Sequence, residues 1–405
     1  MFRTGKINRR DAIKLGLMAG LAAGVGSFYS RPAKAAMVVK MGVGLGEGAA
    51  ALIYALERDK FLEKAADKLG IEAIQPEYLT FDALLRMVQA LQARQLMFGT
   101  IGSTPTIRNV SGDSPLIPIA ISNGGGNFPL LVPNGSPIKS LDDLKGKTIL
   151  TLVGSDLHLC LLMVLNAHFG TTDTQALGIK VVNVQAYTEF GQPRPGVDAV
   201  LSVDPWGDDA STKGTMKILM GNNGSTGAAY DGPEGKGAGH VIDSFSKSPF
   251  FPEAYYPHRN WWVVAPKFLQ DNEKAVEAFL LANSWAVSAL KTASVDQVVD
   301  ASNKFWVGDR SVQRRLVETI IWRNRGWNWI SEGDARSLIL LSSNKVIFEK
   351  PLAPSTLLPI LAKGAPVAKR AWMGVGQVPP LAEFTNKNAK DVRGLPTWEQ
   401  GSWRL

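Results

Sequence analysis

The chain has 405 residues and a formal net charge of +8, but its first 36 residues hold seven of the 44 basic side chains and one of the 36 acidic ones. The rest carries a net charge of only +2, and without a basic stripe nucleic acid is excluded as an expected partner. The single cysteine, Cys160, rules out a disulfide within the chain, so the core must stabilise the fold. The roughly 370 residues after the N-terminal segment are enough for two domains.

The first predicted element is an export signal over residues 1–35. Arg9 and Arg10 precede an apolar run, and the segment ends in a small-x-small pattern at 33–35, which is typical of a secretory signal peptide. The run falls short of the roughly 20 apolar residues that cross a bilayer. The paired arginines favour twin-arginine export. A Sec signal with a chance arginine pair is the alternative, because Ala12 stands where the twin-arginine signal usually carries a large apolar residue.

Strands and helices alternate in the sequence that follows. Residues 37–44 predict a strand, and apolar residues at helical spacing predict one helix over 49–69. The further predicted elements are a strand at 71–79, a helix at 82–95, a strand at 96–102 leading into a helix or turn at Pro105, a strand at 147–154, a helix at 156–169, strands at 179–186, 198–203 and 260–266, and a helix from about Asn272 to Leu290. This order indicates α/β architecture with mainly parallel sheets.

The strand series restarts near residue 126, after three consecutive glycines, which indicates a second lobe. The predicted division is a signal peptide at 1–35, a first lobe made of 36–125 and 266–345, a second lobe at 126–265, and a C-terminal extension at 346–405 packed on the first lobe. We expect the lobes to hinge about crossings near 124–128 and 259–264. Residues 221–240 contain seven glycines and are expected to form a loop.

Three strand-to-helix junctions carry a helix-start signal. Thr104 and Asp204 each precede a proline, and Ser155 precedes an aspartate, which are typical N-cap patterns. A helix N-terminus offers free N–H groups and a partial positive charge, and open α/β sheets bind ligands at the carboxyl ends of their strands. The pattern predicts a cleft in which several helix starts face an anionic group. The alternative is that each cap only stabilises its own helix.

Four segments follow one another in a recognisable order: "SPIKSLDDLKGKTILT" at 136–151, "GSDLHLCLLMVL" at 154–165, "VDAVLSVDPWGDDA" at 197–210 and "PKFLQDNEKAVEAFLLANSWAV" at 266–287. In this order they resemble the periplasmic solute-binding components of ABC importers in the nitrate/sulfonate/taurine group. The resemblance implies a bilobal type II periplasmic-binding-protein fold, with two mainly parallel sheets flanked by helices and two crossing strands. It also implies a periplasmic monomer that delivers a small anionic or zwitterionic ligand to an ABC permease in the inner membrane.

Carried over by position, the resemblance implies a ligand cleft lined from both lobes. The first lobe would contribute Gly46, Glu47, Thr80, Phe81, Ser103 and Thr104, and the second would contribute Ser155, Asp156, His158, Asp204 and Trp206. Ser103, Thr104 and Ser155 would donate hydrogen bonds to a sulfonate or carboxylate, and Trp206 would pack on an organic body. Asp204 would either cap its own helix or pair with an amine, which would favour an aminosulfonate-like zwitterion.

The favoured interpretation is a non-catalytic binding protein with no cofactor and no metal; His158 is expected to be a buried histidine rather than a ligand contact. One rival is an exported α/β enzyme with a nucleotide cofactor, because Gly44-x-Gly46-x-x-Ala49 fits a relaxed dinucleotide fingerprint. The acid expected about 20 residues later is missing, and the nearest is Glu77. A sensor ectodomain partner would use the same cleft and is a third hypothesis.

Overall fold

The computed structural model describes residues 36–46, 48–71, 73–110, 112, 115–124, 128–220, 259–319 and 354–375. The predicted signal peptide at 1–35 and the predicted glycine-rich loop at 221–240 lie outside these residues. In the described part of the chain, no helix combines the length and the apolar character needed to cross a membrane.

Ten strands and eleven helices make up the described part of the chain. The strands are β1 (Met37–Gly44), β2 (Ile74–Phe81), β3 (Phe98–Gly102), β4 (Ile117–Gly124), β5 (Leu130–Pro133), β6 (Thr148–Thr151), β7 (Lys180–Asn183), β8 (Ala199–Leu201), β9 (Met216–Met220) and β10 (Arg259–Val264). The helices are α1 (Ala50–Asp59), α2 (Phe61–Lys68), α3 (Leu84–Gln92), α4 (Ser103–Val110), α5 (Asp156–Phe169), α6 (Trp206–Thr212), α7 (Pro266–Asp271), α8 (Glu273–Thr292), α9 (Val295–Ser302), α10 (Arg310–Thr319) and α11 (Pro354–Gly374). Short 3₁₀ turns occur at Asp142–Leu144, Tyr187–Gly191 and Asn303–Phe305.

The first sheet has the strand order β2-β1-β3-β10-β4. β1 pairs in parallel with β2 and β3, whereas β10 runs antiparallel to both of its neighbours, β3 and β4. Four of its five strands therefore point the same way. Helices α1, α2 and α3 supply the crossover connections that parallel strands need.

The second sheet repeats this arrangement in the order β7-β6-β8-β5-β9. β6 pairs in parallel with β7 and β8, and β5 runs antiparallel to β8 and β9. The opposed strands, β5 and β10, are those at which the chain enters the second sheet and returns to the first. Two such sheets flanked by helices confirm the predicted α/β fold class.

The helix predicted over 49–69 is two helices. Lys60 has the left-handed backbone angles φ 51° and ψ 43°, and its N–H bonds to the carbonyl of Leu56, which ends α1. Both α1 and α2 still bury the apolar side that the spacing predicted, including Leu52 and Leu62. The periodicity therefore identified the buried face but not the break at Lys60, which carries no glycine or proline signal.

The first sheet is covered by α8, whose twenty residues alternate buried apolar groups with polar ones. Phe279 of α8 stacks on Phe98 of β3 with ring centroids 4.1 Å apart. Trp262 of β10 is fully buried and donates its indole N–H to the side-chain oxygen of Asn283 on α8, at 3.1 Å. These contacts hold β10 and β3 against α8. They fix the part of the first sheet on which the candidate site is built.

Helix α11 lies against the first sheet. A Cβ placed on Gly364 would stand 2.7 Å from the carbonyl oxygen of Pro118 on β4, so only glycine allows this close approach. The predicted division placed residues 126–265 in the second lobe. β10, which ends at Val264, instead pairs with β3 and β4 of the first sheet.

Candidate functional site

A cleft lies at the carboxyl ends of the parallel strands of both sheets. The turn after β1 contributes Leu45 and Gly46, the turn after β6 contributes Ser155, and the turn after β8 contributes Asp204 and Trp206. The space open to the centre of a water molecule is about 80 Å³. At about 10–15 Å³ per water by this measure, the cleft has room for a small solute.

The structure brings five of the eleven predicted site residues to this cleft. They are Gly46, Ser155, Asp156, Asp204 and Trp206. Thr104 lies directly behind the wall, fully buried, while its neighbour Pro105 lines the cleft. All three predicted helix-start junctions therefore converge on one place.

Three other predicted residues stand outside the residues that line the cleft. Thr80 is exposed and Phe81 half-buried at the end of β2, and β2 is the edge strand farthest from β10 and β4. The ring of Phe81 instead covers Gly42, where a Cβ would come within 2.6 Å of it. His158 lies in the first turn of α5. Glu47 and the side chain of Ser103 lie outside the described part of the chain.

The start of α4 is bound by a carboxylate of the chain itself. The main-chain N–H and the hydroxyl of Thr104 both donate to Oδ1 of Asp156, at 2.9 and 2.8 Å. Asp156 begins α5, beside the second sheet, and is 3% exposed. Its Oδ2 would be 1.8 Å from a Cβ at Gly102, so glycine is required there. The N–H of Thr104, expected to face an anionic ligand, is therefore given to Asp156.

Ser155 also uses its hydroxyl within the chain. The hydroxyl donates to the carbonyl of Leu152 at 2.6 Å and accepts from the N–H of Leu157 at 3.2 Å. Its proton is thus committed to the main chain, which is the capping alternative that the sequence left open. Ligand recognition by donation from Ser155 or Thr104 would require these bonds to be exchanged.

Asp204 lies one residue before the N-cap of α6, which is Pro205, and not at the N-cap as predicted, but its side chain bonds to the first turn of that helix. Its Oδ1 accepts the N–H of Asp208 at 3.1 Å, and the residue is 7% exposed. The carboxylate of Asp208 is itself paired with the guanidinium of Arg315. Asp204 also lines the cleft, so the same side chain stabilises a helix and faces the ligand space.

His158 is a half-buried histidine that serves the turn before α5. Its Nδ1 accepts the N–H of Gly154 at 3.2 Å. Burial lowers the pKa of His158, and the positive charge of Arg108 lowers it further. Both effects favour the neutral imidazole. Arg108 donates to the carbonyl of Gly154 at 3.3 Å, which joins α4 to the same turn.

Several cleft residues were missed by the sequence analysis. Asn123 of β4 and Asn260 of β10 are cross-strand partners, are 3% and 5% exposed, and line the cleft. Each is a polar residue near the end of an otherwise apolar strand, and that signal in "IPIAISNG" and "RNWWVV" could have found them. Three aromatic side chains complete the wall: Phe128, Tyr187 and Phe190.

The described lining of the cleft is acidic. It includes the carboxylates of Asp156 and Asp204, and among those described residues no lysine, arginine or histidine takes part. Likewise, the described residues contain no group of three His, Cys, Asp or Glu side chains placed to hold a metal ion. The described lining therefore offers carboxylate, amide, hydroxyl and aromatic groups.

Comparison with solved structures finds the same fold in periplasmic binding proteins. The alkanesulfonate-binding protein SsuA from Xanthomonas axonopodis pv. citri, bound to MOPS, is 16% identical, covers 80% of this chain and 97% of its own, and has a TM-score of 0.54. The periplasmic nitrate-binding protein NrtA from Synechocystis PCC 6803 is 11% identical, covers 85% of this chain and 92% of its own, and has a TM-score of 0.59. The periplasmic aliphatic sulphonate binding protein SsuA from Escherichia coli is 18% identical, covers 79% of this chain and 91% of its own, and has a TM-score of 0.52.

Neither a protein-family model nor a curated protein matches the chain. The structural similarity, at identities of 11 to 18%, establishes the fold that the sequence segments predicted: two α/β sheets with a cleft between them.

Proposed function

We propose that this chain is the solute-binding component of an ABC importer, exported to the periplasm, where it captures a small solute and hands it to a membrane permease. The observation that carries the proposal is the convergence of three helix-start turns from two sheets on one small cleft. Neighbours described as sulfonate-binding and nitrate-binding proteins support it.

Binding would couple the two halves of the fold. A solute in the cleft would touch Gly46 and Asn260 from the first sheet and Asp204 and Trp206 from the second. A ligand that contacts both halves favours their closed arrangement by its differential affinity for that state. A permease could then recognise the closed form. This role needs no chemistry on the solute and accords with a non-catalytic protein.

The candidate solutes are the sulfonate, nitrate and taurine-like molecules implied by the sequence resemblance. Such molecules suit the space available, and the aromatic wall would accept an organic body. A micromolar dissociation constant corresponds to about −8 kcal/mol, which a few hydrogen bonds and one aromatic contact can supply.

The rival nucleotide-cofactor enzyme is disfavoured by the turn after β1. The N–H of Gly46 donates to the main-chain carbonyl of Phe305 at 2.9 Å, and the N–H of Leu45 donates to the main-chain carbonyl of Phe81 at 2.7 Å. In a dinucleotide fingerprint the backbone of this turn approaches the pyrophosphate. Here two of its N–H groups are already used.

Thermal denaturation of the full chain with added solutes tests the proposal. We expect a higher melting temperature with at least one of taurine, ethanesulfonate or nitrate, and no change with NAD or FAD. A rise with a nucleotide alone would favour the enzyme instead. No rise with any of these three small solutes would refute the proposed function.

A further inference from the structure

We propose that the cleft is closed before a solute arrives, by a latch made of the salt bridge between Arg315 and Asp208. The effect of this latch on solute affinity rests on the proposed function, whereas the closed arrangement is a property of the chain alone. Neither residue is among the described residues that line the cleft. Closing the cleft and touching the solute are therefore tasks of different side chains.

Helix α10, which carries Arg315, is anchored to the first half of the fold. Arg310, in the first turn of α10, pairs with Asp296 of α9 at 2.8 Å. The 3₁₀ turn after α9 is bound to the turn after β1, because the main-chain carbonyl of Phe305 accepts the N–H of Gly46 at 2.9 Å. The guanidinium of Arg315 is therefore presented by the half that contains the first sheet.

Helix α6, which carries Asp208, follows β8 and belongs to the second half. Nε and Nη2 of Arg315 donate to Oδ2 and Oδ1 of Asp208 at 2.6 and 3.1 Å, and Nη2 also donates to the hydroxyl of Thr212 at 3.1 Å. The turn before α10 approaches the same helix, since a Cβ on Gly308 would lie 3.3 Å from Oδ1 of Asp209. The first half is thus seated on α6 at several points.

The contacts between the halves are all made by groups of the chain. Charge-assisted, bidentate hydrogen bonds such as those of the latch are about twice as strong as neutral ones, although part of that strength is offset because opening would let water hydrate both charges. Two further contacts act in the same direction. Thr104 donates twice to Asp156, at 2.9 and 2.8 Å, and the N–H of Tyr187 donates to the main-chain carbonyl of Asp82 at 3.1 Å. The chain can therefore close without a solute.

A latch that acts without solute has two opposite effects on binding. A solute that touches both halves binds the closed form, so the observed dissociation constant rises by the factor by which the closed fraction falls. The solute enters through the open form, so the association rate rises with the open fraction. The latch therefore strengthens binding and slows entry. The solute then lengthens the life of the closed form, which is the signal left for a permease.

The first measurement uses the full chain without solute. Spin labels are placed by Leu85→Cys and Val153→Cys, at side chains that are 66% and 43% exposed and whose neighbours Leu84 and Leu152 line the cleft from the two halves. The native Cys160 is fully buried and does not compete for the label. Pulsed electron paramagnetic resonance should show that one short, narrow distance dominates. A broad distribution dominated by longer distances would overturn the proposal.

Variants then assign the closed form to the latch. Arg315→Ala should lower the closed fraction at least about threefold, and Arg315→Lys, which keeps the charge but not the bidentate geometry, should lower it less. Arg314→Ala is the matched control, because Arg314 pairs with Asp296 of α9 within the first half and its loss should leave the distances unchanged. Unchanged distances in Arg315→Ala, or an equal shift in Arg314→Ala, would overturn the proposal. If Arg315→Ala does not fold, Thr212→Val, which removes one hydrogen bond of Arg315, should still lengthen the mean distance, and no lengthening would count against the latch.

Binding kinetics connect the latch to the proposed function. Whichever of taurine, ethanesulfonate or nitrate raises the melting temperature is mixed with the unlabelled protein in a stopped-flow experiment. Arg315→Ala should bind it faster, and its dissociation constant should rise by the factor by which the closed fraction falls. Slower association, or an unchanged affinity at a lower closed fraction, would overturn the effect of the latch on binding. If none of the three solutes binds, the proposed function fails, whereas the distances measured without solute still decide whether the latch exists.

Discussion

The salt bridge between Arg315 and Asp208 joins α10 to α6 across the two halves of the fold. The guanidinium Nε donates to Oδ2 of Asp208 at 2.6 Å and Nη2 donates to Oδ1 at 3.1 Å. The carboxylate is 2% exposed, whereas the arginine side chain is 29% exposed. Arg315 also donates to the hydroxyl of Thr212 at 3.1 Å. The bidentate geometry makes this contact different from the surface ion pairs of the same helix.

Arg315→Ala should therefore destabilise the protein strongly. Removing one partner of a buried pair costs about 3–5 kcal/mol, because a buried charge loses its compensation. Part of that cost is recovered here, since the partly exposed arginine leaves a path by which water can reach the carboxylate. We expect a loss of about 2–3 kcal/mol in the free energy of unfolding.

The neighbouring Arg314 provides a matched control. Arg314 pairs with Asp296, whose side chain is 51% exposed, so Arg314→Ala should cost no more than about 1 kcal/mol. Urea denaturation followed by circular dichroism measures both variants. Adding Asp208→Asn to Arg315→Ala should restore part of the lost stability, because the asparagine removes the buried negative charge that Arg315 would otherwise neutralise. Equal losses in the two arginine variants, or no recovery in the double variant, would refute the reasoning.

Three further predictions concern the cleft and the first sheet. Gly102→Ala should lower the free energy of unfolding by about 1–3 kcal/mol in urea denaturation, because its Cβ would displace the carboxylate of Asp156. Tyr78→Phe should leave that free energy unchanged or raise it by up to about 1 kcal/mol, because the buried hydroxyl finds no hydrogen-bond partner in the described part of the chain. His158→Asn should reduce the loss of stability on acidification. Burial holds the pKa of His158 below its usual value, so the folded state binds fewer protons than the unfolded chain. The free energy of unfolding therefore falls as the pH drops below about 6.5.

Each of these has a result that would contradict it. Gly374→Ala, where the nearest atom to a new Cβ is 3.7 Å away, is the control for Gly102→Ala, and equal stability of the two variants would show that the close approach is unimportant. A clear loss of stability in Tyr78→Phe would mean that its hydroxyl has a partner. An unchanged fall in stability between about pH 7.5 and pH 5 in His158→Asn would assign that fall to other groups.

The fold could be predicted from the sequence because its signals are local. Alternating strand and helix patterns predicted strands where β1, β2, β3, β6, β7, β8 and β10 lie. The apolar spacing also identified the buried faces of α1 and α2. The break at Lys60 could not be predicted, because a lysine with left-handed backbone angles leaves no compositional mark. The pairing of β10 with β3 and β4 depends on contacts between segments more than 130 residues apart, which periodicity does not encode.

The candidate site was predictable in position but less so in chemistry. Capping signals at Thr104, Ser155 and Asp204 placed three helix starts at one cleft, and the structure brings those turns together. Which group accepts the N–H of Thr104 depends on the approach of α5 from the other sheet, and no local pattern shows that the acceptor is Asp156. Asn260 was missed although a polar residue beside the apolar run "WWVV" marks its position in the sequence.

The bond between Thr104 and Asp156 changes what a ligand has to provide. Because a carboxylate of the second half already satisfies the start of α4 in the first, that charge-assisted contact between the halves needs no anionic guest. A ligand shifts the equilibrium between open and closed forms only through interactions that differ between them. Asp204 and Trp206 line the cleft from one side and Asn260 lines it from the other, so these groups are placed to make that difference.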